Sequence, residues 1–460
     1  MRADAIYTTG ALPCNFTAHE EVVMIRSPLI FAAVSDFAGK TRGKAFPEQD
    51  LDMRLRRGVG WAPTCVQITC FDVIAPSPFG AIGEVLMMPQ KETEVRVNFQ
   101  DDTPPEHFFL CDITTLDGKP WGCCTRGILK SALERLYALA GVRLCGAFEH
   151  EFQIKDKALT ANDAYGINAF SRRRQFGESI MAALAQAGLQ PDSFMKEYGT
   201  EQYEFTVKPK RGVAVADAAV IARELARMTA RRFGEEATFA PIQDIASVGN
   251  GVHVHMSFQD EVGNSVSYDP EGPYGMSKLT SAFAAGVLKY LDAILALTAP
   301  SAISYQRLTP HRWSVAYNNI GFEDREAALR ISPVTGKSPE SIAQQFNLEY
   351  RAADAAASPY LVLAAIIHAG TQGIEEKLPV PPVSHEDLSL LSEAELAERG
   401  YVRNPQSLEE ALERMNNNKT VCSWFPEEFI PVYTAHKKCE LEQLKEESVE
   451  KQCALYAQTY

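Results

Sequence analysis

Four short segments place acidic and histidine side chains at alternating positions. They are Glu149 and Glu151 in GAFEHEFQI, Glu204 in EQYEFTV, His253 and His255 in GNGVHVHMSF, and Glu349 with Arg351 in NLEYRA. Side chains alternate faces along a strand, so Glu149 and Glu151 point one way while Phe148 and Phe152 point the other. Val252, Val254 and Met256 likewise oppose His253, His255 and Ser257. An apolar back must lie on a core, which leaves the charged front to line a cavity or meet solvent. Carboxylates gathered in a cavity repel one another, and burial raises their cost further. A divalent metal is the ordinary remedy.

With Glu197 added, six residues have the character of hard-metal ligands: Glu149, Glu151, Glu197, Glu204, His253 and Glu349. Magnesium takes carboxylate oxygens and keeps waters for substrate phosphate, whereas manganese accepts an imidazole more readily. Taken singly, each glutamate reads as a surface residue. Together, an ExE strand, an ExxxxxxE pair and an HxH strand point to one site. Arginines are the second ingredient: Arg307 in SYQRLTP, Arg325 and Arg330 in EDREAALRI, and Arg351. A guanidinium binds carboxylate or phosphate bidentately and stays charged, although each could equally be the salt-bridge partner of a neighbouring acid. Gly249 and Gly251 suit a tight approach to a ligand, but a GxG by itself is more often a turn. The chain has no GxxxxGK[ST], GxSxG or HExxH segment, so any nucleotide binds without a P-loop.

The elements that must position these residues follow from pattern. A β-rich unit spans about 24–97, and the proline-bearing acidic segment DDTPPEH marks the best boundary, dividing the chain into 1–103 and 104–460. Ile128, Leu129, Ala132, Leu133, Leu136 and Leu139 recur at helical spacing. Further helices are expected over 174–188, 213–233, 276–297 and 352–369, and the charged tail from Ala435 reads as one terminal helix. The catalytic strands fall between these helices, which gives an α+β protein whose large domain carries a mostly antiparallel sheet.

At 460 residues the chain is long enough for a large core and two domains. Its net charge of −14 argues against nucleic acid or anionic membrane as main partner. The ten cysteines show no paired CxxC spacing and read as reduced, mostly buried thiols. The N-terminus lacks an apolar signal core, and no stretch approaches ~18 apolar residues, so a cytoplasmic protein is expected.

The order GAFEHEF, EYGTEQYEF, ATFAPIQDIASVGNGVHVHMSF, YQRLTP…DREAALRI and LEYRAADAAASPYL resembles the catalytic domain of the glutamine synthetase family. SDFAGKTRGKAFP and GEVLMMPQKET resemble its β-grasp-like N-terminal domain. The resemblance implies ATP as co-substrate, two to three Mg2+ or Mn2+ ions per site, phosphorylation of the γ-carboxylate of glutamate, and displacement of phosphate by an amine. It places Glu151, Glu197 and Glu204 on the metal nearer glutamate, and Glu149, His253 and Glu349 on the metal at the ATP phosphates. It gives Arg307, Arg351 and Gly249 to substrate, Arg325 and Arg330 to the transferring phosphoryl group, and His255 and Ser257 to nucleotide. It also implies a homo-oligomer, a ring-based dodecamer with active sites shared between subunits.

The departures concentrate where the family handles ammonia. Its DGSS-like segment is GVGWAPT here, with Trp61 and Ala62 and no carboxylate, and RLTPHRWSV places Trp313 where the family has a flap glutamate. Two lost carboxylates remove attraction for a small cation, while an aromatic adds apolar area and a cation–π face. Asn347 replaces a basic residue, PKP has become Pro241 to Gln243, and Glu84 stands where aspartate is usual. The leading expectation is therefore a glutamate–amine ligase using an alkyl-, aryl- or polyamine. Resemblance to the γ-glutamylpolyamine synthetase branch favours polyamine, and Trp313 favours a monoamine with an apolar group. An authentic glutamine synthetase and a non-catalytic relative are the alternatives; six retained ligands weigh against the latter.

Overall fold

The structure, a computed structural model, describes residues 25–155 and 163–460, so the N-terminal stretch read for export signals lies outside it. Sixteen strands form two sheets among these residues. The first six are β1 (Leu29–Ser35), β2 (Thr41–Pro47), β3 (Val59–Trp61), β4 (Val85–Pro89), β5 (Val95–Val97) and β6 (Glu106–Thr115). They make a small sheet in the order β2-β1-β6-β4-β3, with β5 also on β6. The expected boundary at 103/104 precedes β6, yet by hydrogen bonding β6 is the centre of this sheet.

The remaining ten strands are β7 (Arg143–Ile154), β8 (Pro191–Lys196), β9 (Gln202–Val207), β10 (Lys210–Arg211), β11 (Ala237–Thr238), β12 (Val252–Gln259), β13 (Ile320–Phe322), β14 (Leu329–Ile331), β15 (Leu348–Ala353) and β16 (Val383–Ser384). The order is β16-β13-β14-β15-β12-β7-β9-β8, with β10 and β11 also on β7. It is antiparallel except where β13 pairs with β14 and β16. This is the α+β architecture expected.

Behind the sheet, helix Ala214–Arg232 packs on β7 and helix Lys278–Thr298 on β15, and Pro359–Glu375 packs against both of these helices. Pro359–Glu375 is apolar nearly all round and almost wholly buried, as a helix enclosed by neighbours must be. Lys278–Thr298 has the length and apolarity of a membrane span, but it too lies mostly inside the protein. Two expectations need correction. Residues 352–358 are not helical: β15 runs to Ala353, and Pro359 can only enter at the first turn, after an extended Ser358. The tail is two helices, Phe429–Leu444 and Val449–Thr459, because Ser448 caps the second. Its charges are not all solvated, since Lys437 pairs with Glu440 at 3.1 Å in full burial and Tyr456 donates to the same carboxylate. Nine described cysteines are free and five of them buried.

Candidate active site

Strand alternation aims the site. Along β7, Phe148, His150 and Phe152 are buried in the core while Glu149 and Glu151 face the other way. Antiparallel pairing sets His253 opposite Glu149, and Glu204 opposite Glu151. On the other flank Glu349 stands opposite both His255 and Arg330. The β12–β15 register shifts between Val252 and Val254, a bulge that falls on His253.

These strands floor a cavity of about 480 Å3 lined by five carboxylates and five guanidinium groups. All six expected metal ligands line it, as do Gly249, His255, Arg307, Trp313, Arg325, Arg330 and Arg351. Two expected residues do not. Ser257 lies further along β12 and reaches the Cys145 carbonyl, and Trp61 sits on β3 of the small sheet, packed against its core. Residues that pattern reading missed also line it: Tyr165, Met195, Tyr198, Gln202 and Arg312. Tyr198 and Arg312 adjoin Glu197 and Trp313 in sequence; nothing in the sequence marks Tyr165 or Met195.

Donor atoms of Glu149, His253 and Glu349 lie within 4.8 Å of one another, and so do those of Glu151, Glu204 and His253. The first trio is the one expected. In the second His253 appears in place of Glu197, whose carboxylate instead accepts from Tyr165 Oη and the Tyr198 amide, each at 3.1 Å. Glu151 accepts from the Gly251 amide at 2.8 Å and from Gln202 at 3.2 Å. Gly249 has a packing reason to lack a side chain: a Cβ there would come within 2.7 Å of the Arg307 side chain and 2.4 Å of the Pro241 carbonyl.

Charge divides the cavity into unlike halves. Burial, with Glu197 beside it, pushes the Glu151 carboxyl up to about 7. Burial raises Glu204 as well, and the charges of Glu149 and Glu151 add to it. Burial would raise Glu149 too, but the His255 charge overrides it and holds Glu149 well below the usual range. His255 rises in return to about 9 against the pull of burial, with its Nε2 3.1 Å from Glu149 and its Nδ1 2.8 Å from Asn347. His253 is lowered by burial and by Arg351. The half built on Glu151 and Glu204 thus holds more negative charge than its neighbours neutralise, and it retains protons unless a cation enters. Such oxygen-rich donors beside an imidazole fit magnesium or manganese.

The arginine half is engaged internally. Arg330 pairs with Glu349 at 2.7 Å, and Arg351 pairs with the other oxygen of that carboxylate. Arg351 also donates to the Arg325 carbonyl at 3.0 Å. Arg307 is buried and donates to the carbonyls of Ala352 and Ala353. At the mouth, Tyr165, Met195, Tyr198 and Trp313 are each between 38% and 54% exposed, and the Tyr198 and Trp313 rings meet at 5.5 Å.

Comparison with known proteins agrees with this geometry. Residues 122–456 match the model of the glutamine synthetase catalytic domain, and residues 15–121 that of the glutamine synthetase N-terminal domain. The chain is 31% identical to the gamma-glutamylpolyamine synthetase GlnA3 of Streptomyces coelicolor over 83% of each chain. It is 28% identical to type-1 glutamine synthetase 1 of Dictyostelium discoideum, over 83% of this chain and 79% of that one. A crystal structure described as a novel glutamine synthase homolog superposes with a TM-score of 0.87 at 37% identity, covering 95% of this chain and 99% of the other.

Proposed function

This chain belongs to the glutamine synthetase family of ATP-dependent ligases, and from that premise we propose that it joins the γ-carboxylate of L-glutamate to an organic amine. The observation that carries the reading is Trp313, exposed at the cavity mouth in ring contact with Tyr198. An indole and a phenol, with Met195 and Tyr165 beside them, offer apolar area and π faces to a substituted ammonium. Ammonium itself has no apolar part to bury there.

In this reading Arg307 and Arg351 grip the amino acid carboxylate while Arg325 and Arg330 meet the phosphoryl group in transit. Glu149, His253 and Glu349 would hold one divalent ion and Glu151, Glu197 and Glu204 another, with magnesium or manganese as the fitting metal. Bound there, the ions neutralise charge between the phosphates and the γ-carboxylate. The γ-carboxylate attacks the terminal phosphorus and ADP leaves; the bound ammonium gives up a proton, and the amine so formed attacks the acyl carbon as phosphate leaves. Arg330 and Arg351 must first release Glu349, which frees both guanidinium groups for substrate and the carboxylate for its cation. Trp61, remote from its own chain's cavity, would act from a neighbouring copy in a cytoplasmic ring assembly.

A monoamine with an apolar substituent suits the aromatic mouth best. Polyamine is the second reading, favoured by the similarity to the Streptomyces enzyme. The ligase reading is tested by ADP formation with ATP and magnesium: it should require both L-glutamate and an amine. Turnover needing neither, or binding of ATP without turnover across acids and amines, would refute it.

A further inference from the structure

We propose that Glu326 is a positioning residue for the amine subsite, acting on Trp313 through the loop at 310–314. Its carboxylate accepts from two amides of that loop, from His311 and from Trp313, each at 3.2 Å. Both residues hold left-handed backbone, with φ of 61° and 53°, a conformation that side chains other than glycine resist. Alternate amides converging on one anion form a concavity of the kind that binds anions, and here the chain supplies the anion itself. Glu326 is in turn fixed, its own amide donating to Asp324 Oδ1 at 2.9 Å.

Glu326 stands on the far side of the loop from the reacting groups. With Pro310 and His311 it lines a separate cavity and is absent from the lining of the first, so it acts on substrate only through the loop. The loop's other bonds hold different atoms. Arg312 donates to the carbonyls of Ser247, at 2.7 Å, and Ile245, and Arg351 reaches the Trp313 carbonyl at 3.5 Å. The Trp313 amide, and with it the direction of the indole, depends on Glu326. Where the indole stands decides how much room a substituent on the amine finds beside Tyr198. What the subsite holds rests on the organic-amine reading above; how the loop is held does not.

The test uses the full chain with Glu326→Ala and Glu326→Gln, the latter keeping one acceptor oxygen. Amide hydrogen exchange is followed over 309–316, and KM is measured for the preferred amine, ammonium and ATP. In Glu326→Ala, loop exchange should quicken and the amine KM should rise about ten-fold, the worth of hydrogen bonds to a charged acceptor. The KM for ATP should move far less, and Glu326→Gln should fall between the two. Should the alanine variant misfold, the glutamine variant decides by the same two readouts. Unchanged exchange, or faster exchange with an unchanged amine KM, overturns the proposal. If the wild type uses ammonium alone, the organic-amine reading fails separately. Loop exchange together with the ammonium KM then decides on Glu326: both altered supports it, either unaltered overturns it.

Discussion

Glu204 on β9 stands directly opposite Glu151 on β7 in an antiparallel pair, both carboxylates turned into the same cavity. Like charges across a ladder destabilise it, and burial enlarges the penalty. Relieving the repulsion without a metal should therefore stabilise the metal-free protein. Glu204→Gln is expected to raise its stability by about 1 kcal/mol while shrinking the stabilisation that magnesium confers. Calorimetric Tm with and without magnesium checks both signs.

The raised Glu151 carboxyl sets a pH dependence. Its folded value, about 7, exceeds its ordinary 4.5, so the folded metal-free protein binds more protons than the unfolded chain between those values. That contribution to stability is complete below pH 4.5 and is lost as pH rises through about 7. Glu204, also raised, acts in the same direction. Metal binding must displace these protons. Magnesium affinity should rise from acidic to neutral pH, with proton release visible as a buffer-dependent heat in titration calorimetry; a heat independent of buffer would contradict this.

The floor of the site was legible in the sequence because strand alternation is rigid: once Phe148 and Phe152 face the core, Glu149 and Glu151 must share the other side. The same logic placed His253 and Glu349, and three of the expected helices ended within about two residues of those observed, within the usual play of helix ends. The mouth was not legible. Tyr165 and Met195 reach it through loop and edge geometry that no periodicity encodes, and Glu326 bonds a backbone 13 and 15 residues away. The helix expected from 352 failed because an apolar run reads alike as buried strand and buried helix. The tail failed because the break at Ser448, which caps the second helix, carries no glycine or proline to mark it in the sequence.

His255 lies between the Glu149 and Asn347 side chains, which favour its cationic form up to about pH 9. If it faces nucleotide phosphate, the Kd for ATP measured without divalent metal should stay level at neutral pH and rise as pH passes about 9, where the charge is lost. Asn347→Ala removes one of those partners, so the rise should begin at lower pH. A profile identical to wild type would remove His255 from nucleotide binding.

Trp313 should govern the acceptor. Replacing it with alanine removes aromatic area worth about 2 kcal/mol, some thirty-fold in the amine KM, with the KM for ATP little changed. Trp313→Glu should lower the preference for the amine over ammonium further, since it restores a carboxylate near the cavity mouth. Competition assays with both acceptors present report this directly.

The most direct test is a steady-state comparison of acceptors: kcat/KM for a panel of alkyl-, aryl- and polyamines against ammonium, with ATP, magnesium and L-glutamate saturating and each product identified by mass. The expected product is a γ-glutamyl amide of one organic amine, formed with a kcat/KM at least about a hundred-fold above that for glutamine, the margin of two or three well-buried apolar groups. Glutamine as the principal product would contradict the organic-amine reading.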